Sequence, residues 1–114
     1  PNSVLVNAVQ MPFEHELCKA WNVPVGPASQ RIPVRSKIPT LVVSGTIDGK
    51  TGARWGRYAA NLLPNSIYVR INGIGHWVIV QSPCAQQIFQ SFLARPRSPN
   101  TSCAPTTPGV KFKP

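Results

Sequence analysis

The 114 residues allow at most one domain with a modest core. Hydrophobic residues make up 42% and charged residues 13%, which excludes a wholly disordered chain, and no apolar run is long enough to span a membrane. The net charge of +9 sets twelve Lys and Arg against Glu14, Glu16 and Asp48. The cations are spread from Lys19 to Lys113 without a cluster, a zinc-finger spacing or an aromatic RNA-binding signature. A generally basic surface is therefore expected, with no nucleic-acid partner.

In chain order, residues 3–9 suit a short strand and residues 13–21 a short helix, with Leu17 and Trp21 four apart. Residues 22–37 read as an irregular loop, because each proline removes a donor and biases its predecessor away from helix. Residues 40–45, Thr-Leu-Val-Val-Ser-Gly, are β-branched and apolar without polar alternation, the pattern of a parallel strand covered on both faces. Residues 51–63 predict a helix with Trp55, Ala59 and Leu62 inward and Arg54, Arg57 and Asn61 outward. Residues 66–71 alternate, Ile67, Val69 and Ile71 facing one way and Tyr68 and Arg70 the other. Strand, helix and strand in this order predict a right-handed parallel βαβ crossover.

Two glycines punctuate the loop at residues 72–77. Ser82 is a plausible cap and Pro83 a first helical residue for a last helix, with Ile88, Phe89, Phe92 and Leu93 as its buried stripe. Arg95-Pro96 ends it. The organisation expected is a proline-rich lead-in with a short helix over 1–38, a βαβα unit over 39–96 and an extended tail over 97–114. A fully apolar strand needs neighbours on both edges, and this chain offers one confident partner strand. The fold class is therefore α/β with an incomplete sheet, a segment that docks onto more sheet than the chain contains.

Asp48, the only aspartate, falls three residues after Gly45, and His76 falls five after Ile71. Both follow the carboxyl ends of successive parallel strands, where loops converge on one crevice. Neighbouring strands lie about 4.8 Å apart, so a carboxylate there reaches an imidazole and fixes its tautomer, leaving the second nitrogen to take a proton from a hydroxyl. Taken singly, Asp48 is a turn former or helix cap and His76 a structural residue. Together, in the order Asp then His, they match the order that follows the nucleophile in α/β-hydrolases. His15 has no such setting and is expected at the surface.

The sequence from Pro39 to Asp48 resembles the strand and acid loop of α/β-hydrolases, and Gly73-Ile-Gly-His76 resembles their histidine loop. Further features are similar to the carboxyl-terminal domain of the secreted tripeptidyl-aminopeptidase-like hydrolases. These are Cys18-Lys-Ala-Trp21, Trp55-Gly56, Leu63-Pro64-Asn65, Ser82-Pro83-Cys84-Ala85 and Asn100-Thr-Ser-Cys103, so the likeness runs from about Leu17 to Cys103. It implies the carboxyl-terminal part of a serine hydrolase that acts on peptides from the amino terminus or on esters, with Asp48 and His76 catalytic. The expected partners are the missing amino-terminal part and a peptide or ester substrate; no metal or organic cofactor is implied. Two departures stand out. No G-x-S-x-G occurs, so the nucleophile and oxyanion loops are expected outside this chain. Gly49-Lys50-Thr51-Gly52 replaces the small residue or proline and Thr-Pro that often follow the acid, with Lys50 expected to point to solvent. The competing readings are a noncatalytic remnant that binds another chain and a basic secreted binding module.

Cys18, Cys84 and Cys103 have no metal-ligand spacing. Cys84 falls in the first turn of the last helix and Cys103 in the tail leaving its far end. An extended tail gains roughly 3.3 Å per residue against about 1.5 Å in the helix, so the tail can retrace the helix and bridge the two. Cys18 is then the odd thiol, expected to be buried or paired with a residue upstream. The alternatives are a bridge from Cys18, which must cross the whole βαβ unit, and three reduced thiols. The prolines and the Pro/Thr/Ser-rich tail favour export, with any signal peptide upstream of Pro1.

Overall fold

The computed structural model describes residues 13–22 and 24–111; the strand expected over 3–9 lies outside them. The chain divides into two units between Ile32 and Pro33. In the first, helix α1 (Phe13–Ala20) closes at Asn22, whose φ of +50° lies in the left-handed region that asparagine tolerates. The Asn22 N–H donates to the Lys19 carbonyl at 3.0 Å. Leu17 and Trp21 are both exposed, and the side chain of His15 lies outside the described residues. A single 3₁₀ turn at Ala28–Arg31 follows.

The second unit runs β1 (Thr40–Gly45), α2 (Ala53–Leu62), β2 (Ser66–Ile71), α3 (Val78–Gln81) and α4 (Pro83–Ala94), then a 3₁₀ turn at Ala104–Thr106. β1 and β2 pair in parallel from Thr40 opposite Ser66 to Gly45 opposite Ile71. The strands thus end level, and the loops that leave them start side by side. Among the described residues β1 has a strand neighbour on one edge only.

One face of the sheet carries the core. Val69 and Ile71 cluster with Val78, Ala85, Ile88 and Ala104, and Leu41, Val43 and Ile67 pack against them. Ile71 and Ile88 are fully buried, and truncating either to alanine is expected to cost about 2–5 kcal/mol. The other face is covered by α2. A Cβ placed on Gly56 would fall 2.2 Å from Ser44 Oγ and 3.2 Å from Tyr68 Cε2, so this helix approaches as closely as it does because residue 56 has no side chain. The Tyr68 hydroxyl donates to the Ala53 carbonyl at 2.9 Å and ties the helix start to β2.

This close approach corrects the inward face expected for α2. Ala60 is buried, whereas Trp55 is 56% exposed and Ala59 is exposed. Ala53 and Gly56 are half-buried and Ala60 is buried, while Leu62, the third residue expected inward, is half-buried. Trp55 instead meets Tyr58 edge-on and lies under the Arg54 guanidinium. The stripe of α4 is also rotated: Ala85 and Ile88 are fully buried, while Phe89 and Leu93 are exposed and Phe92 is half-buried. Buried Ser82 caps the helix, accepting a hydrogen bond from Ala85 N at 3.2 Å, with Pro83 in the first turn.

Beyond α4 the chain turns back along the helix. The Asn100 N–H donates to Ser91 Oγ at 2.7 Å. Cys84 and Cys103 are joined by a disulfide with a Cα–Cα distance of 5.8 Å. Cys18 is free and exposed rather than buried, on a short helix whose described side chains offer no core to enter. Past the bridge, Ala104 enters the core. No helix among the described residues is long and apolar enough to cross a membrane.

Candidate active site

The loop after β1 folds around one side chain. Asp48 Oδ1 accepts hydrogen bonds from the backbone N–H groups of Lys50 and Thr51, each at 2.9 Å. The carboxylate thereby organises the turn that leads into α2, a local pattern common for aspartate. Its second oxygen is used differently: Oδ2 lies 3.0 Å from Nδ1 of His76. Turn forming and pairing with the histidine are thus compatible roles, one for each oxygen. Lys50 is exposed and reaches the aspartate only through its backbone.

The Asp48 carboxyl is held below its ordinary range. The Thr51 N–H contributes most, opposed by burial, with further lowering from His76 and the Lys50 N–H. These donors favour the charged form directly. An ionised carboxylate accepts the Nδ1 proton and leaves Nε2 as the nitrogen able to take one up. Among the described residues Nε2 makes no hydrogen bond. The Asp48 side chain is 7% exposed and the His76 side chain 42%, so the carboxylate is shielded beneath an imidazole that opens outward. That is the arrangement a general base requires of its supporting carboxylate.

Two glycines let the loops meet. A Cβ on Gly45 would lie 2.1 Å from the Ile74 carbonyl oxygen and 2.5 Å from that of Gly75, so the end of β1 touches the histidine loop backbone directly. Gly73 has φ of +68°, a conformation that strains other residues. Its N–H donates to Thr46 Oγ1 at 2.9 Å, and the Ile47 N–H donates to the Ile74 carbonyl at 3.2 Å. The acid loop is therefore stitched to the histidine loop at residues 73 and 74, just before His76.

Gly45, Thr46 and Gly73 support the pair without touching its charged atoms, and the sequence reading assigned no role to the first two. A glycine closing an apolar strand just before an acid loop is the one signal that pointed to Gly45; Thr46 carried none. Beside His76 lies a groove of about 280 Å³, lined by Leu41, Val43, His76 and Trp77–Val80. Trp77 meets the His76 ring edge-on at 6.2 Å. Cys84 and Cys103 take no part in the pair, and among the described residues no cluster of three or more His, Cys, Asp or Glu could hold a metal ion.

No curated protein and no solved structure matches this chain. A family model described as TAP-like protein matches residues 4–104. With a match over most of its length, the chain belongs to the TAP-like family of α/β-hydrolases.

Proposed function

We propose that this chain is the carboxyl-terminal segment of a serine hydrolase and supplies the acid and base of its catalytic triad. The observation that carries the proposal is the 3.0 Å contact between Asp48 Oδ2 and His76 Nδ1 at the ends of two adjacent parallel strands. A serine from outside these residues attacks the carbonyl carbon while its proton passes to His76 Nε2. Asp48 stabilises the resulting imidazolium, which then protonates the leaving amine or alcohol. Water repeats the sequence on the acyl-enzyme and releases the acid.

The open edge of β1 and the apolar groove beside His76 support the view that further sheet, and with it the nucleophile, docks here. The substrate class is a peptide cleaved from its amino terminus, or an ester. Family membership favours the hydrolase, and the disulfide agrees with an extracellular setting. The same open edge suits a second reading, a noncatalytic module that binds another chain.

Fluorophosphonate labelling and hydrolysis of aminoacyl-peptide and ester reporters by the full-length protein test the proposal. Serine labelling and turnover that both disappear in a serine variant and in His76→Ala are expected. A full-length protein inert toward every reporter and unlabelled by the probe would leave the binding module as the better reading.

A further inference from the structure

The histidine loop is held on one side by the acid loop, and on the other by the tail. Asn72 follows β2 directly and precedes His76 by four residues. Its N–H donates to Thr107 Oγ1 at 3.2 Å, and its side-chain Nδ2 donates to the Thr107 carbonyl at 3.3 Å. The Thr107 hydroxyl itself donates to the Ala104 carbonyl at 2.7 Å. One hydroxyl therefore links the first residue of the histidine loop to the turn that enters the core. Next along the loop, a Cβ on Gly73 would fall 2.9 Å from the Pro108 carbonyl oxygen, so the tail backbone also lies against that residue.

The tail takes this path because it is anchored upstream. Cys103 is bonded to Cys84 in the first turn of α4, and Ala104 is 8% exposed within the core cluster. Between the bridge and Thr107 only three residues intervene, Ala104, Pro105 and Thr106, and together they form the 3₁₀ turn. A covalent anchor this near leaves the hydroxyl little freedom to move.

We propose that Thr107, anchored by the Cys84–Cys103 bridge, is a positioning residue that holds the histidine loop so that His76 stays aligned with Asp48. The bridge and the tail then act on the pair through Asn72 and Gly73, without touching either side chain. Only the consequence for turnover rests on the serine-hydrolase reading; the effect on the Asp48–His76 hydrogen bond does not.

The experiment follows the Nδ1 proton of His76 by NMR in the full chain with labelled histidine. Thr107→Val keeps the shape and removes the hydroxyl, leaving the Asn72 N–H without its acceptor. It is expected to speed solvent exchange of that proton about tenfold, the effect of losing one ordinary hydrogen bond. Thr107→Ser should restore slow exchange. Reducing the bridge in the wild-type protein should have a similar effect, and reduction of Thr107→Val should add little, because both act through one contact. If hydrolysis is established, kcat should fall with KM unchanged. Unchanged exchange in Thr107→Val would overturn the proposal. So would equal exchange in the valine and serine variants, or general loss of folded amide signals in the valine variant, since Thr107 would then be structural only. A protein without hydrolase activity that still shows the exchange pattern would refute the catalytic reading while upholding this one.

Discussion

Residues 46–51 and residues 72–77 face each other beyond β1 and β2, yet the two loops are held by different means. Asp48 receives its backbone hydrogen bonds from residues two and three positions on. The histidine loop is fixed by partners distant in the chain, Thr46 at a separation of 27 and Thr107 at 35. An acid that organises its own turn stays in place whenever that short segment folds. A histidine on a glycine-punctuated loop is in place only when strand, acid loop and tail have all assembled. Contacts closed across long loops are also the ones most sensitive to remote change.

The largest expected effect comes from the pair itself. In the full-length protein His76→Ala should lower kcat/KM by several orders of magnitude, and Asp48→Asn by roughly 10⁴ by analogy with other triads. Steady-state kinetics on an ester or aminoacyl-peptide reporter measure both. Near-normal turnover without His76 would show that another group is the base.

Two glycine substitutions sharpen the comparison. Gly45→Ala forces a methyl against the Ile74 and Gly75 carbonyls, and Gly56→Ala forces one against Ser44 and Tyr68. Each should lower stability by about 1–3 kcal/mol in denaturant melts. Only Gly45→Ala should also disturb the His76 ring resonances, because only it displaces the histidine loop. Equal disturbance by both would mean that the loop responds to general loosening of the sheet.

Removing the bridge perturbs stability by a comparable amount. Cys84 and Cys103 are 19 positions apart, and opening a loop of that size is expected to cost about 3 kcal/mol, read as a lower midpoint in denaturant under reducing conditions. The histidine loop should loosen before the turn at Asp48, which hydrogen exchange at the Asn72 and Thr51 amides distinguishes.

The smallest effect concerns acid. Because the folded state lowers the Asp48 pKa, its carboxylate contributes stability that is fully present above the unfolded-state value. That contribution fades as pH falls through the folded-state value. The stability difference between wild type and Asp48→Asn should therefore shrink on acidification below the ordinary aspartate range, as equilibrium unfolding at several pH values would show. A difference that grew in acid would mean that the hydrogen bonds to Asp48 favour its neutral form.

Much of the frame was legible in the sequence. Both strands begin and end where the apolar run and the alternation begin and end. Ser82 and Pro83 start α4 as their chemistry dictates, and Asp48 and His76 follow from their places after strand ends. These features depend on backbone stereochemistry and on periodicity, which act over a few residues. The short helix α3 at Val78–Gln81 had no cap or periodic pattern to announce it.

Tertiary structure alone decided which face each helix turns inward. Apolar size favours Trp55, but the space above Ser44 and Tyr68 admits only Gly56, and that space exists once helix and sheet have met. It also decided that Thr107 would reach Asn72, because no local rule relates residues 35 apart. Sequence determined the chemistry available at two strand ends, since side-chain type and strand period are properties of neighbouring residues. The fold determined the 3.0 Å between Asp48 and His76, since that distance is set by packing and hydrogen bonds closed across the whole unit.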